Sequence, residues 1–220
     1  MGSELFAAIA RDDRPTVERL LDADRALLDA RDGSGLSPLL AALYRGRAEI
    51  ASAILARGPQ LTVFEASAAG VLDRVRELVE RDASLASATA PDGYSPLGLA
   101  AFFKRREVVA YLLGAGADPR KGSRDQGFTP LHSALATDAG ATDVEIVRLL
   151  LAAGADPNAR TAEGGTSLHT VAFTGERELA DLLLAHGADP AASNAQGKTP
   201  GDVARERGHA DLARALARVP

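Results

Sequence analysis

The chain contains no cysteine and no tryptophan, and aromatic residues make up only 4 % of its 220 residues. Without cysteine, neither a disulfide framework nor a thiolate metal site can form. No apolar run approaches the ~18 residues of a membrane-spanning helix, and no charged segment followed by an apolar one opens the sequence. We therefore expect no membrane association and a cytoplasmic location.

The sequence also lacks a basic stripe that could neutralise phosphates. The net charge is −5, and the densest basic run, Lys104-Arg105-Arg106, is followed at once by Glu107. We interpret this run as a solvated turn between helices and predict no binding of nucleic acid. Charged residues at 25 % and hydrophobic residues at 46 % argue against disorder. Frequent Ala, Arg, Gly and Asp with few Lys favour a GC-rich, bacterial source.

A short motif recurs along the whole chain, and it indicates an array of repeats. Its clearest copy is Thr129-Pro130-Leu131-His132, which is followed by Gly154-Ala155-Asp156-Pro157 at the end of the same repeat. Further copies begin at Ser37, Ser95, Thr166 and Thr199, and eroded ones at Ser3 and Leu61. The seven starts, at 3, 37, 61, 95, 129, 166 and 199, are separated by 34, 24, 34, 34, 37 and 33 residues.

Each repeat predicts two short helices joined by turns. In the fifth, Thr129 is placed to cap a helix N-terminus, and Pro130 follows where its missing N–H has no consequence. Leu131, Ala134 and Leu135 then form an apolar face at helical spacing. Gly-Ala-Asp-Pro endings at 116–119, 154–157 and 187–190 supply a helix C-cap and a turn.

These motifs resemble the ankyrin repeat family, whose period is about 33 residues. The resemblance covers essentially the whole chain. It implies an all-α repeat fold, an α-solenoid with short β-hairpin fingers, as one domain over 1–220 with about seven repeats including two caps. It also implies a monomer that binds a protein or peptide in the concave groove between the fingers and the first helices.

Three departures from the period are expected to change the array locally. The 24-residue step leaves no room for a finger between the second and third repeats. The fifth repeat has an insertion, Thr137–Asp143, predicted to be a solvent loop. The first and third repeats share a longer ending, in which Leu27 aligns with Leu85 and Ala30 with Ala88.

Candidate catalytic and ligand-binding motifs do not withstand inspection. His132 and His169 occupy the fourth place of the repeat motif, where in the ankyrin family the imidazole is structural; no cysteine joins them as a metal ligand. Gly197-Lys198-Thr199 lacks the earlier glycine of a phosphate-binding loop, since Ala192 stands there. No paired carboxylates are forced together for acid–base work. We predict a non-enzyme without cofactor or metal.

Most of the aromatic residues fall at recurring repeat positions. Tyr44, Phe102 and Phe173 lie seven residues after a start, and Tyr94 and Phe128 lie one before. Phe6 and Phe64 stand in for the motif histidine. Asp92, Asp125 and Gln126 are expected at the polar rim. The predicted partner-binding set on the concave face is Tyr44, Arg45, Tyr94, Phe102, Phe103, Phe128, Glu163 and Phe173.

The function predicted from these features is protein–protein interaction without catalysis. The alternative for the aromatic set is that the rings only brace fingers and neighbouring repeats. The alternative for the protein is a regulatory or inhibitory subunit that blocks a partner enzyme. The two functions differ in the partner and not in any motif of the chain.

Overall fold

The computed structural model describes residues 2–90, 93–137 and 140–217, and within these it confirms the all-α repeat fold. Seven pairs of α-helices follow one another. The first helices of the pairs are α1 (Gly2–Ala10), α3 (Pro38–Tyr44), α5 (Val63–Ala69), α7 (Pro96–Phe102), α9 (Pro130–Leu135), α11 (Ser167–Thr174) and α13 (Pro200–Glu206). The second helices are α2 (Arg14–Ala23), α4 (Ala48–Ala56), α6 (Leu72–Arg81), α8 (Arg106–Gly114), α10 (Val144–Ala152), α12 (Arg177–Ala185) and α14 (Ala210–Leu216).

Side-chain caps fix where the first helices begin. The hydroxyls of Ser37 and Ser95 accept the backbone N–H three residues on, at 3.3 and 3.0 Å. In the third repeat the cap is Thr62, one residue after the predicted start at 61, and Glu65 completes a capping box by accepting the Thr62 N–H at 2.9 Å. Glu65 therefore takes the place of the motif histidine, and the assignment of that place to Phe64 was wrong.

The fingers are tight turns, and no strand occurs within the described residues. Each turn is closed by one backbone hydrogen bond between its two ends, because too few residues separate the flanking segments for a ladder. In each closing bond the backbone N–H of the first residue donates to the carbonyl of the last. The five pairs are Asp32 to Leu36, Ala90 to Tyr94, Ser123 to Phe128, Thr161 to Gly165, and Asn194 to Lys198. The expected β-hairpin fingers are thus hairpin-like turns.

Neighbouring fingers are joined by single backbone bonds along the array. Ala162 N–H donates to the Gln126 carbonyl at 2.9 Å, and Ala195 N–H donates to the Glu163 carbonyl at 3.0 Å. Between α4 and α5 the connection is only residues 57–62. The gap in the row of fingers after the second repeat is therefore present in the structure.

The shared long ending of the first and third repeats is also present. In both, a 3-10 helix follows the second α-helix, at Arg25–Asp29 and at Ala83–Ser87. Each is capped by an aspartate side chain at 3.0 Å from a backbone N–H, Asp24 in the first repeat and Asp82 in the third. Equivalent capping explains why Leu27 and Leu85 lie at matching positions.

The basic run after α7 does not behave as a solvated turn. Lys104 Nζ donates to the Ala134 and Ala136 carbonyls at 2.7 Å, and so caps the C-terminus of α9. Lys104 has a φ of 59°, at a repeat position that glycine holds elsewhere, and these two bonds offset that strain. Arg105 Nε donates to the Ala68 carbonyl at 2.9 Å. The run therefore binds the repeats on both sides.

The fifth-repeat insertion is exposed where the structure describes it. Thr137, Gly140 and Ala141 are exposed, and residues 138 and 139 lie outside the described part. Its end is fixed because Asp143 caps α10 and accepts the Arg106 guanidinium at 3.0 Å. The insertion thus leaves and rejoins the array between anchored residues.

The buried apolar side chains form two large clusters along the chain. One extends from Leu5 to Ile54 within the first two repeats, and the other extends from Val63 to Leu216. Leu61 is only partly buried and packs against both. The large core is therefore divided where the finger is missing, and a smaller cluster of Leu40, Ala68, Leu99 and Phe103 crosses that junction.

We predict that the earliest sub-global opening occurs at this interruption or at a terminal repeat. Less apolar surface is shared there, and array stability is close to a sum of nearest-neighbour terms. Hydrogen exchange followed by mass spectrometry should show protection of residues 48–69 lost before that of the fourth and fifth repeats. Lowest protection in those two repeats would contradict this ranking of the interfaces.

Candidate partner-binding site

The predicted aromatic residues divide into two separate groups in the structure. The first, the aromatic cluster, consists of Tyr44, Phe102 and Phe103. The Tyr44 ring centroid lies 5.9 Å from that of Phe102 and 5.2 Å from that of Phe103, and the two phenylalanines meet edge to face at 4.9 Å. These distances are those of favourable ring pairs. The cluster joins the second repeat to the fourth.

The rings can meet because the third repeat is narrow between them. Ala69 stands at the repeat position that carries Tyr44 and Phe102 in the flanking repeats, and Ala68 is fully buried under the cluster. Phe103 is 7 % exposed and packs with Ala68 and Leu99. Its assignment to the partner-binding surface is therefore wrong, because almost none of its ring is accessible.

Tyr94 and Arg45 lie near the cluster and have local roles. Tyr94 is half-buried and packs against the buried group that contains Leu99 and Phe103, and its ring lies close to Gly98 in the first turn of α7. Arg45 is exposed and donates from Nη1 to the Ala41 carbonyl of its own helix at 3.2 Å. Asp92 lies outside the described residues.

The second group lines a groove at the other end of the array. Among the residues that the structure describes, the exposed large apolar side chains are Phe128 and Phe173, at 37 % and 48 %. Both open onto a groove of about 470 Å³ between fingers and first helices, which also contains the predicted Glu163. This finger–helix groove is lined by Gln126, Phe128, Thr161, Glu163, Gly165, Thr166, His169, Thr170, Phe173, Asn194, Gln196, Lys198, Val203, Glu206 and Arg207.

The sixth repeat has a small residue at a finger position where its neighbours have large ones. Gly165 occupies the finger position that carries Tyr94 in the fourth repeat and Phe128 in the fifth. Gly165 also lines the groove and adds no side chain to it. Of the eight predicted partner-binding residues, Phe128, Glu163 and Phe173 line this groove. The other five lie in or near the aromatic cluster.

Two basic side chains in the groove, Lys198 and Arg207, were not among the predicted partner-binding residues. The Arg207 guanidinium lies 3.6 Å from the centroid of the Phe173 ring, and Lys198 Nζ pairs with Glu206 at 2.7 Å. Arg207 stands at the same repeat position as Arg45, so extending the periodic comparison to the last repeat would have found it.

The two motif histidines form hydrogen bonds that support the fold. His132 Nδ1 accepts the Thr129 hydroxyl at 2.9 Å and the Thr129 N–H at 3.3 Å, so the ring must be neutral. Burial lowers the pKa of His132 to about 4, opposed by the Gly165 carbonyl. Burial likewise lowers the pKa of His169, whose Nε2 donates to the Lys198 carbonyl of the next repeat at 3.0 Å.

The described part of the chain shows neither a cluster of metal ligands nor a membrane-spanning helix. Across residues 2–90, 93–137 and 140–217, no three His, Asp or Glu side chains gather in a way that would hold a metal ion. Over the same ranges, no helix combines the length and the apolar character needed to cross a bilayer.

We predict that the aromatic cluster contributes to stability more than the groove rings do. Phe102→Ala or Tyr44→Ala should lower the free energy of unfolding by about 2 kcal/mol, because each removes ring contacts between repeats. Phe173→Ala should lower it by less than ~1 kcal/mol, because half of that ring is already exposed. Urea unfolding measures all three. Equal midpoints for Phe102→Ala and the unmodified chain would contradict the bracing role.

Acid should destabilise the protein through His132. Its folded pKa of about 4 lies below the unfolded value of ~6.5, so its stabilising effect is complete above ~6.5 and is lost as the pH falls to about 4. The loss amounts to roughly 3 kcal/mol for a group this buried. His132→Gln keeps an acceptor for Thr129 but cannot titrate. Its free energy of unfolding should fall less between pH 6.5 and 4, and an unchanged pH slope would exclude His132 as the cause.

Comparison with known proteins agrees with the geometry. The chain matches the family model for ankyrin repeats (3 copies) over residues 5–123, 63–161 and 135–219. It is 34 % identical over 112 residues to neurogenic locus notch homolog protein 4 of Homo sapiens, covering 51 % of this chain and 5 % of that protein. It is 36 % identical over 118 residues to neurogenic locus Notch protein of Drosophila melanogaster, covering 54 % of this chain and 4 % of that protein.

The two Notch proteins are far longer than this chain, which covers only a small part of either. Ankyrin repeats are generally protein–protein interaction modules. The family-model matches extend from residue 5 to residue 219. The chain therefore belongs to the ankyrin repeat family.

Proposed function

We propose that this protein holds a protein partner in the finger–helix groove of its fifth to seventh repeats. The observation that carries the proposal is that both strongly exposed phenylalanines, Phe128 and Phe173, open onto this one groove. Exposed rings that lie together in a concavity offer a large contact area with little side-chain entropy to lose. Glu163, Gln126 and Gln196 supply the polar rim that such interfaces have.

The proposal differs from the sequence prediction in where the partner sits. The predicted surface extended from the second repeat to the sixth, but Phe103 is buried and Tyr44 is engaged with Phe102. The part of the array that lacks a finger is therefore braced by the aromatic cluster. A segment a few residues long fits the remaining groove better than a surface along the whole array.

Regulation or inhibition of an enzyme stays the alternative, and it would use the same groove. The identity of the partner decides between the two, since a blocked enzyme would lose activity when the groove is filled. A monomeric state, a cytoplasmic location and a bacterial source belong to the same proposal as predictions from composition and from the family.

Loss of the groove rings should weaken partner binding without unfolding the protein. Affinity capture from native lysate with mass spectrometry identifies the partner, and calorimetry then measures its affinity. Phe173→Ala or Phe128→Ala should reduce the binding free energy by about 2 kcal/mol, as central aromatic anchors do. Tyr111→Ala is the control, because Tyr111 lies in the second helix α8 and not in the groove. Unchanged affinity in both groove variants would place the partner elsewhere.

A further inference from the structure

Some charged side chains of the finger–helix groove form an ion pair and others do not. Lys198 and Glu206 neutralise one another at 2.7 Å. Within residues 2–90, 93–137 and 140–217, the side chains of Arg207 and Glu163 form no ion pair and no hydrogen bond, although both line the groove and both are exposed. The groove thus presents one unpaired cation and one unpaired anion beside its two phenylalanines.

Arg207 is held in place without using its hydrogen-bond donors. Its guanidinium carbon lies over the Phe173 ring, 3.6 Å from the centroid, and this cation–π contact restrains the group. Two other exposed arginines of the array pair with neighbouring repeats: Arg106 with Asp143 at 3.0 Å and Arg148 with Glu178 at 3.5 Å. The N–H edge of Arg207 remains available to an acceptor that enters the groove.

We propose that the groove recognises an extended peptide segment carrying an acidic side chain next to an apolar one. The apolar side chain lies between Phe128 and Phe173, the carboxylate pairs with Arg207, and a basic side chain further along pairs with Glu163 on its finger. A cation cannot take the place of the acidic side chain, because Arg207 already covers the face of Phe173. This inference rests on the proposed function of the groove and specifies the chemistry of its partner.

Selection from a random-peptide library displayed on phage tests the proposal with the full chain as bait. Peptides enriched on the unmodified protein should carry Asp or Glu beside Leu, Ile, Met or an aromatic residue. Fluorescence anisotropy then measures their affinity for Arg207→Gln and Glu163→Gln, each expected to bind about fivefold more weakly. Arg124→Gln is the matched control, since Arg124 is also exposed but does not line the groove.

Charge reversal separates direct pairing from a general effect of charge. Arg207→Glu should bind the selected peptides more weakly than Arg207→Gln, and a peptide with its acidic residue replaced by Arg should regain affinity for Arg207→Glu. Equal weakening by Arg124→Gln and Arg207→Gln would overturn the proposal, because net charge alone would then account for binding.

The outcomes also separate this inference from the proposed function. Peptides that lose affinity on Phe173→Ala but not on Arg207→Gln, and that lack an acidic residue, would overturn the acidic partner and leave the groove as the binding site. Peptides unaffected by Phe173→Ala and Phe128→Ala would overturn both. Failure to enrich any peptide above selection on bare support also overturns the proposal, because the library contains short segments of this chemistry.

Discussion

Every repeat depends on burying its apolar face against the next repeat. The helices are six to ten residues long, which is shorter than an isolated helix needs to be stable in water. Alanine supports this arrangement, since Ala66, Ala100 and Ala134 are fully buried in the first helices and allow close approach. Stability is therefore shared between neighbours, and any place where the shared surface shrinks has consequences for the whole array.

The junction after the second repeat is such a place, and polar and aromatic contacts offset the missing finger. Arg31 pairs with the buried Glu65 across the junction at 2.8 Å. Burial opposes ionisation of Glu65, but hydrogen bonds from Ser37, Thr62 and Arg31 outweigh it and lower the pKa of this carboxyl. The aromatic cluster adds apolar contact between α3 and α7. Both sets of contacts lie outside the finger–helix groove, so the bracing contacts and the proposed binding site are in different parts of the array.

Local signals in the sequence predicted most of the fold. Thr-Pro and Ser-Pro pairs mark helix starts because capping and φ are decided within a few residues, and the structure places caps at Ser37, Ser95 and Thr129 as expected. The third repeat was misaligned by one residue because Leu61-Thr62-Val63 lacks the proline. Only the reciprocal bonds between Thr62 and Glu65 reveal the true cap.

The site was harder to predict, because exposure depends on what the neighbouring repeats carry at the same position. Phe102 and Phe173 occupy the same repeat position. Phe102 meets Tyr44 over the small Ala69, whereas Phe173 lines the open finger–helix groove. The two rings look equivalent in sequence. Their roles follow from contacts with residues one or two repeats away, which periodicity alone does not provide.

We infer that the third to seventh repeats form a self-sufficient block, because they share a continuous core. Urea unfolding of a fragment spanning 59–220 tests it most directly. We expect a cooperative transition monitored by circular dichroism, because the cluster from Val63 to Leu216 remains whole and more than three repeats are present. A fragment that stays unfolded in the absence of urea would contradict the claim and show that the first two repeats are needed to hold the array together.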